Sequence, residues 1–321
     1  MADALIVVAA AFAVVAGAND GSSMLSAGVR VPGLRPVWSL AILLAAIVVG
    51  PWALFGTRVA TTFAHQLVPF QGPEADRALL VAAAASMVVV FALTRAGLPT
   101  SLTLSLIGAV TGAGIGADLP VRLGVLVTIL AFGLCAPLVA AAVAYGASRW
   151  LSRSLSGRRV STRLRHLHIG AFSLQCLAYS ANGGQKMLAV FALTAGATSS
   201  GMVRDPWWLA LSVAGLFALG VALGLRKVSA KVGTGILAVH LRHAVVAELC
   251  TFALVMAAGL GGVPVTASQS LAGGLVGAGA SESRSRVRWP VVGRLVGAWV
   301  VTLPASVGLA ALASALWRLA S

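Results

Sequence analysis

Charge is scarce in this sequence. Only 10% of its 321 residues are Asp, Glu, Lys or Arg, against about 25% in an ordinary soluble domain, which excludes a water-soluble enzyme. The eight acidic residues include no two buried acids at catalytic helical spacing, and HExxH and GxSxG are both absent, which argues against a membrane-embedded hydrolase. Cysteine is scarce as well: Cys135, Cys176 and Cys250 lie in apolar runs without CxxC spacing. That argues against a disulfide framework or a zinc site and reads them as small buried hydrophobes. The start, Met1-Ala2-Asp3, lacks the basic region of a cleaved signal peptide, so the first helix is expected to stay in the mature protein with its start outside.

Apolar sequence is what is abundant. Hydrophobic residues make up 59% and the mean hydropathy is +0.96, as in an integral membrane protein. Stretches such as Leu40 to Leu54 and Leu209 to Leu225 are apolar on nearly every face, whereas barrel strands alternate apolar and polar residues. The fold expected is an all-α polytopic membrane protein. Ten windows carry it, at about 4–18, 36–57, 78–95, 101–117, 123–147, 169–197, 207–225, 243–260, 266–280 and 290–317. A spanning helix needs about 20 residues, so the fourth and ninth are expected to be half-helices or re-entrant.

The net charge of +15 has a topological reading, because cytoplasmic loops collect Lys and Arg, and no nucleic-acid partner is expected. With ten crossings and the basic loop 149–168 placed inside, 16 of the 23 Lys and Arg fall inside and 5 outside, with Lys186 and Arg294 within segments. This predicts a multi-pass protein of the cell (plasma or inner) membrane with both termini extracytoplasmic. Residues 1–148 and 169–321 would then form two repeats of inverted topology.

Internal repetition agrees. Shifting Gly97–Gly114 by 165 residues gives Gly262–Gly279, identical at eight of eighteen positions, and Ala18-Asn19-Asp20-Gly21 recurs as Ala181-Asn182-Gly183-Gly184 at an offset of 163. Repeats with polar motifs interrupting apolar segments at corresponding places indicate a secondary transporter with a midplane site.

Three constellations carry chemistry. Asp20, flanked by Asn19 and Ser23, follows an apolar run, and a carboxylate at membrane depth marks a functional site. Asn and Asp beside Gly suit a helix break whose oxygens hold a hard cation. Asn182 and Gln185 precede Lys186, a lysine inside an apolar segment, which could compensate Asp20 or face an anionic substrate. Ser101 and Thr103 after Pro99, and Thr266 and Ser268 after Pro264, offer hydroxyls and a helix start, as in phosphate-like anion sites. The spacing Gly108, Gly112, Gly116 marks close helix packing. Glu248 is a further intramembrane acid able to carry a proton or to serve as a neutral structural group. His65, His166, His168, His240 and His243 are expected in solvated loops or helix ends.

These residues resemble the inorganic phosphate transporters of the PiT type, which repeat a GAND-containing motif and a GxPxSTTH motif in each half. Gly17 to Asp20, Ala181-Asn182 with Gln185-Lys186, Gly97 and Pro99 with Ser101 and Thr103, and Gly262 and Pro264 with Thr266 and Ser268 carry the likeness. Arg288-Trp289 and Ala298 to Pro304 resemble that family's last helix. The resemblance implies a symporter of inorganic phosphate, which some members carry as a metal complex, coupled to H⁺ or Na⁺ and without any other cofactor. Sulfate or another tetrahedral oxyanion, or a transport-inactive relative with a scaffold role, are the alternatives. It puts Asn19, Asp20, Asn182 and Gln185 at the cation and substrate site, with Ser101, Thr103, Thr266 and Ser268 donating to the anion. Taken with the reading of the residues themselves, Ser101, Thr103, Thr266, Ser268, Asn182, Gln185 and Lys186 are expected on phosphate and Asn19, Asp20, Ser23 and Glu248 on the coupling ion, in a bilayer-embedded chain for which a homodimer is also open. Gly183 stands where a second aspartate is expected, Ser23 where an asparagine is, and Leu104 and Gln269 where histidines often are. The missing carboxylate predicts fewer coupling ions, or proton coupling through Asp20 or Glu248.

Overall fold

The computed structural model describes residues 2–29, 34–50, 57–70, 73–96, 100–154, 160–194, 198–199, 202–203, 207–228 and 240–320. Among these the chain is all-α apart from an antiparallel pairing of Thr198–Ser199 with Met202–Val203. The helices are α1 (Ala2–Ala16), α2 (Ser22–Val29), α3 (Pro36–Val49), α4 (Arg58–Thr61), α5 (Pro73–Arg95), α6 (Leu102–Gly116), α7 (Leu123–Ser154), α8 (Val160–Tyr179), α9 (Gln185–Thr194), α10 (Trp207–Val228), α11 (Leu241–Leu260), α12 (Ala267–Glu282) and α13 (Trp289–Ala320). Among the described residues six helical stretches, including Asp3–Leu25, are long and apolar enough to cross a membrane. Trp38, Trp150, Trp207, Trp208 and Trp289 are exposed near helix ends, where membrane interfaces collect tryptophan.

The fourth and ninth windows are short, as expected. α6 has 15 residues and α12 has 16, or about 22 and 24 Å at the helical rise, too little to span a core of about 30 Å. Each packs back along the helix before it, α6 on α5 and α12 on α11. Gly262, at φ +73°, takes the left-handed conformation that glycine adopts freely and turns the second of these hairpins. Gly97 and Pro99, the sequence counterparts of Gly262 and Pro264, lie outside the described residues.

Each short helix also lies in a glycine groove against a long helix from the other half of the chain. A Cβ on Gly112 of α6 would lie 2.2 Å from the Val307 carbonyl oxygen of α13, and one on Gly277 of α12 would lie 2.0 Å from that of Ala141 in α7. α7 and α13 match in turn, each with 32 residues and an interior proline, Pro137 or Pro304. The packing reading of Gly108, Gly112 and Gly116 therefore holds. Sequence reading passed over a second crossing: Gly17 and Gly21 meet α10, whose Gly220 and Gly224 meet the Val14 and Ala18 carbonyls.

Three expectations change. Around Asp20 and Asn182 the helix does not unwind. It passes through the five-residue π turns Gly17–Gly21 and Ser180–Gly184, which insert a residue without giving up backbone bonding, as π-bulges at functional sites do. The segment 149–168 read as a loop is helical up to Ser154 and again from Val160, with 155–159 outside the described residues. Arg149, Arg163 and Arg165 are exposed on these helices, where a basic run forms a solvated helix face. Cys135 is exposed, unlike Cys176 and Cys250. It stands among exposed Phe132, Leu134 and Leu138 on the outer face of α7.

Candidate functional site

The π turns and the hairpin tips converge. Asp20 and Lys186, one from each half, form an ion pair with Nζ 3.7 Å from Oδ2, both nearly fully buried. The same ammonium donates to Thr103 Oγ1, in the first turn of α6. Around the carboxylate, Asn19 Nδ2 donates to Oδ1 at 2.9 Å, and the Tyr179 hydroxyl lies 3.4 Å from Oδ2 as its donor. Beside this cluster the two tips touch. Ser101 and Thr266 cap the starts of α6 and α12 in the same extended conformation, and their hydroxyls are 3.1 Å apart at a sequence separation of 165, the repeat offset itself.

Asn182 and Gln185 work on backbone. Asn182 Nδ2 donates to the Val263 carbonyl at 3.1 Å while its Oδ1 accepts from the Val265 N–H at 3.0 Å, clamping the extended tip before Thr266. Gln185 Oε1 accepts from Val59 N–H at 2.8 Å and Ala60 N–H at 3.2 Å, capping α4. That leaves the Gln185 Nε2 donor buried without a partner, like the Gln269 Oε1 acceptor in the first turn of α12. Losing an acceptor shared by two buried N–H groups costs about 1–3 kcal/mol. Gln185→Leu is therefore expected to lower the unfolding midpoint of the detergent-solubilised protein measurably. An unchanged midpoint would mean that the α4 cap is not needed.

Ser268 is half-buried at the position of α12 that matches Thr103. Ser23 donates to the Asn19 carbonyl at 2.6 Å, one turn back on its own helix. Glu248 is not part of the cluster. Its Oε2 lies 3.0 Å from His168 Nδ1 in a fully buried pair, and His168 precedes Ser180 by twelve residues of α8, about 18 Å along the helix. The histidine expectation is corrected with it. His166 and His240 are exposed, but His168 and His243 are fully buried and His65 is half-buried. Sequence position could not show that Glu248 and Glu282 lie opposite His168 and His243, at 3.0 Å in each case.

Tyr179 is the site residue that sequence reading missed. One of two tyrosines in the chain, it lies in an apolar segment, and a buried tyrosine hydroxyl needs a partner. That was the available signal.

The site thus holds one carboxylate, one ammonium and a set of hydroxyl and amide groups contributed by both halves, closed off from solvent. Among the described residues, no group of three or more His, Cys, Asp or Glu could hold a metal ion.

Comparison with known proteins agrees with this architecture. A protein of Mycobacterium leprae (strain TN), described as "Probable low-affinity inorganic phosphate transporter", is 28% identical over 313 residues, 94% of this chain and 74% of that protein. One of the same description in Bacillus subtilis (strain 168) is 25% identical over 317 residues, covering 96% and 95%. For one in Mycobacterium tuberculosis (strain ATCC 25618 / H37Rv) the identity is 31% over 156 residues, and the match spans 48% of this chain but 37% of that protein. A solved structure, "The sodium-dependent phosphate transporter", superposes with a TM-score of 0.82 over 99% of each chain at 17% identity, a likeness of fold. The profile of the phosphate transporter family matches residues 1–144 and 149–310. This chain belongs to the phosphate transporter family, whose members are membrane transporters rather than enzymes.

Proposed function

We propose that this chain is a secondary active transporter of inorganic phosphate, coupled to H⁺ or Na⁺, working by alternating access at the junction of two inverted-topology halves. It would sit in the cell membrane with both termini extracytoplasmic. The observation that carries the reading is the buried contact between halves: Asp20 and Thr103 from one meet Lys186 from the other, beside the Ser101–Thr266 contact.

The chemistry suits an anion. Asp20 neutralises Lys186, so the closed site is not left with an unpaired charge when empty. A hydroxyl has one donor and two acceptor positions. Thr103 accepts from Lys186 and keeps its own O–H for a ligand, the Ser101–Thr266 pair keeps one more, and Gln185 Nε2 adds an N–H. Acceptors favour phosphate over sulfate. A protonated phosphate brings an O–H that needs an acceptor, which the Asp20 carboxylate or the unpartnered Gln269 Oε1 can supply, whereas sulfate brings none.

The test is expression in bacterial cells lacking their own phosphate uptake systems. Labelled phosphate should enter, unlabelled phosphate should compete well and sulfate poorly. Thr103→Val, which strips a charge-assisted hydrogen bond of about 1.5–3 kcal/mol, should lower the uptake rate by about tenfold or more. Equal competition by sulfate would make this a general oxyanion permease. Full activity in Thr103→Val would move the anion site elsewhere.

A further inference from the structure

We propose that the Lys186 ammonium is a tethered counter-cation for Asp20, standing where a bound Na⁺ would otherwise be needed, so that this chain carries its substrate without Na⁺. The inference rests on the transport reading above and adds to it the identity of the cation at the site.

The first support is the set of groups around the carboxylate. A hard cation is held by oxygen lone pairs. Here Asn19 supplies an N–H to Oδ1, while Tyr179 supplies an O–H and Lys186 an ammonium to Oδ2. All three turn hydrogens toward Asp20. Thr103, whose oxygen could serve a metal ion, already accepts from Lys186. Na⁺ does not fit this arrangement, and an ammonium with a carboxylate on one side and a hydroxyl on the other fills the same electrostatic role.

The second support comes from comparing the two halves. Their motifs align Asn19-Asp20 with Asn182-Gly183, so the second half lacks the carboxylate of the first. The space is not left open: a Cβ added to Gly183 would lie 2.4 to 2.7 Å from three atoms of the Tyr179 ring. That ring packs against Phe217, with centroids 5.8 Å apart, and its hydroxyl points at Asp20. A phenol and a lysine therefore take up the room and the charge that a second carboxylate with a bound cation would require. Losing the acid at 183, filling its place with Tyr179 and pairing Asp20 with Lys186 form one consistent substitution.

The experiment uses the purified full chain. Exchange of labelled for unlabelled phosphate in proteoliposomes, with no ion gradient, establishes transport by itself. Initial uptake is then measured at one pH with Na⁺, K⁺ or N-methylglucamine as the external cation. Rates within about twofold of one another are expected, since coupling to Na⁺ should be near zero. Stimulation by Na⁺ of about tenfold or more would overturn the inference and leave the transport reading intact. If exchange is absent, the transport reading fails, and the thermal unfolding of the detergent-solubilised chain still decides the cation question. Wild-type protein should show the same midpoint in Na⁺ and K⁺, and a rise in Na⁺ alone would overturn the inference. Lys186→Gln leaves Asp20 without its counter-cation and should acquire a selective Na⁺ effect, with uptake or midpoint now responding. A folded Lys186→Gln that ignores Na⁺ would show that the ammonium does not occupy a cation position. If that variant does not fold, the wild-type comparison stands alone as the test.

Discussion

Asp20→Asn is expected to abolish phosphate uptake, by about 100-fold or more, while the protein still reaches the membrane. The side chain keeps its shape and its neighbours, so helix packing is unchanged. The charge is lost, and one acceptor oxygen becomes an N–H donor among neighbours that all donate to Asp20. Lys186, buried with Asp20, is left without a counter-charge, and breaking one side of a buried ion pair costs about 3–5 kcal/mol, or 10² to 10⁴ in an equilibrium. The ammonium then either loses its proton or leaves Thr103, and either change removes the anion contact. Uptake of labelled phosphate, read alongside size-exclusion profiles in detergent, checks this. Wild-type uptake in the variant would remove Asp20 from the mechanism. Combining Asp20→Asn with Lys186→Met should recover stability but not transport, because the charge deficit is gone and the site is empty of charge.

The second large effect concerns the α1–α10 crossing. Gly220→Val should yield little folded protein. A Cβ there would sit 1.9 Å from the Val14 carbonyl oxygen and 2.9 Å from the Ala18 amide nitrogen, and backbone atoms cannot rotate away as a side chain can. The helices would have to separate by more than an ångström, next to the π turn that presents Asp20. Overpacking of this kind costs about 1–3 kcal/mol and more when neither side can yield. Gly220→Ala should be milder yet still lower the unfolding midpoint. Gly215, five residues earlier on the same helix, meets nothing within 4 Å and serves as the control, tolerating alanine. Equal behaviour of Gly215→Ala and Gly220→Ala would refute the close crossing.

Much of this was legible in the sequence for a physical reason: the bilayer makes burial readable from hydropathy, and a repeat makes symmetry readable from spacing. The half-length of α6 and α12 followed from the short windows around Ser105 and Ser270, and the glycine groove of α6 followed from the Gly108, Gly112, Gly116 spacing. Compensation of Asp20 by Lys186 was one of two roles open to that lysine, motivated by the cost of a lone charge in an apolar segment, and the ion pair between them is seen in the structure. What escaped depends on partners far apart in the chain. No local pattern says that Glu248 faces His168, that Gln185 caps α4, or that Tyr179 fills the space above Gly183. The π turns escaped as well, since an added residue per turn leaves no mark in composition, and the same Gly and Asn residues suit an unwound stretch equally. The helical course of 149–154 and 160–168 was hidden because a basic run looks alike in a loop and on a solvated helix face.

The most direct test of the central claim, that phosphate passes through the Asp20–Lys186–Thr103 cluster, is counterflow in proteoliposomes. Vesicles loaded with unlabelled phosphate and diluted into labelled phosphate report exchange through the site without requiring a gradient of any coupling ion. The account predicts transient accumulation of label by the wild-type chain and none by Asp20→Asn at equal protein content. Accumulation that is the same in both, or absent from folded wild-type protein, would contradict it.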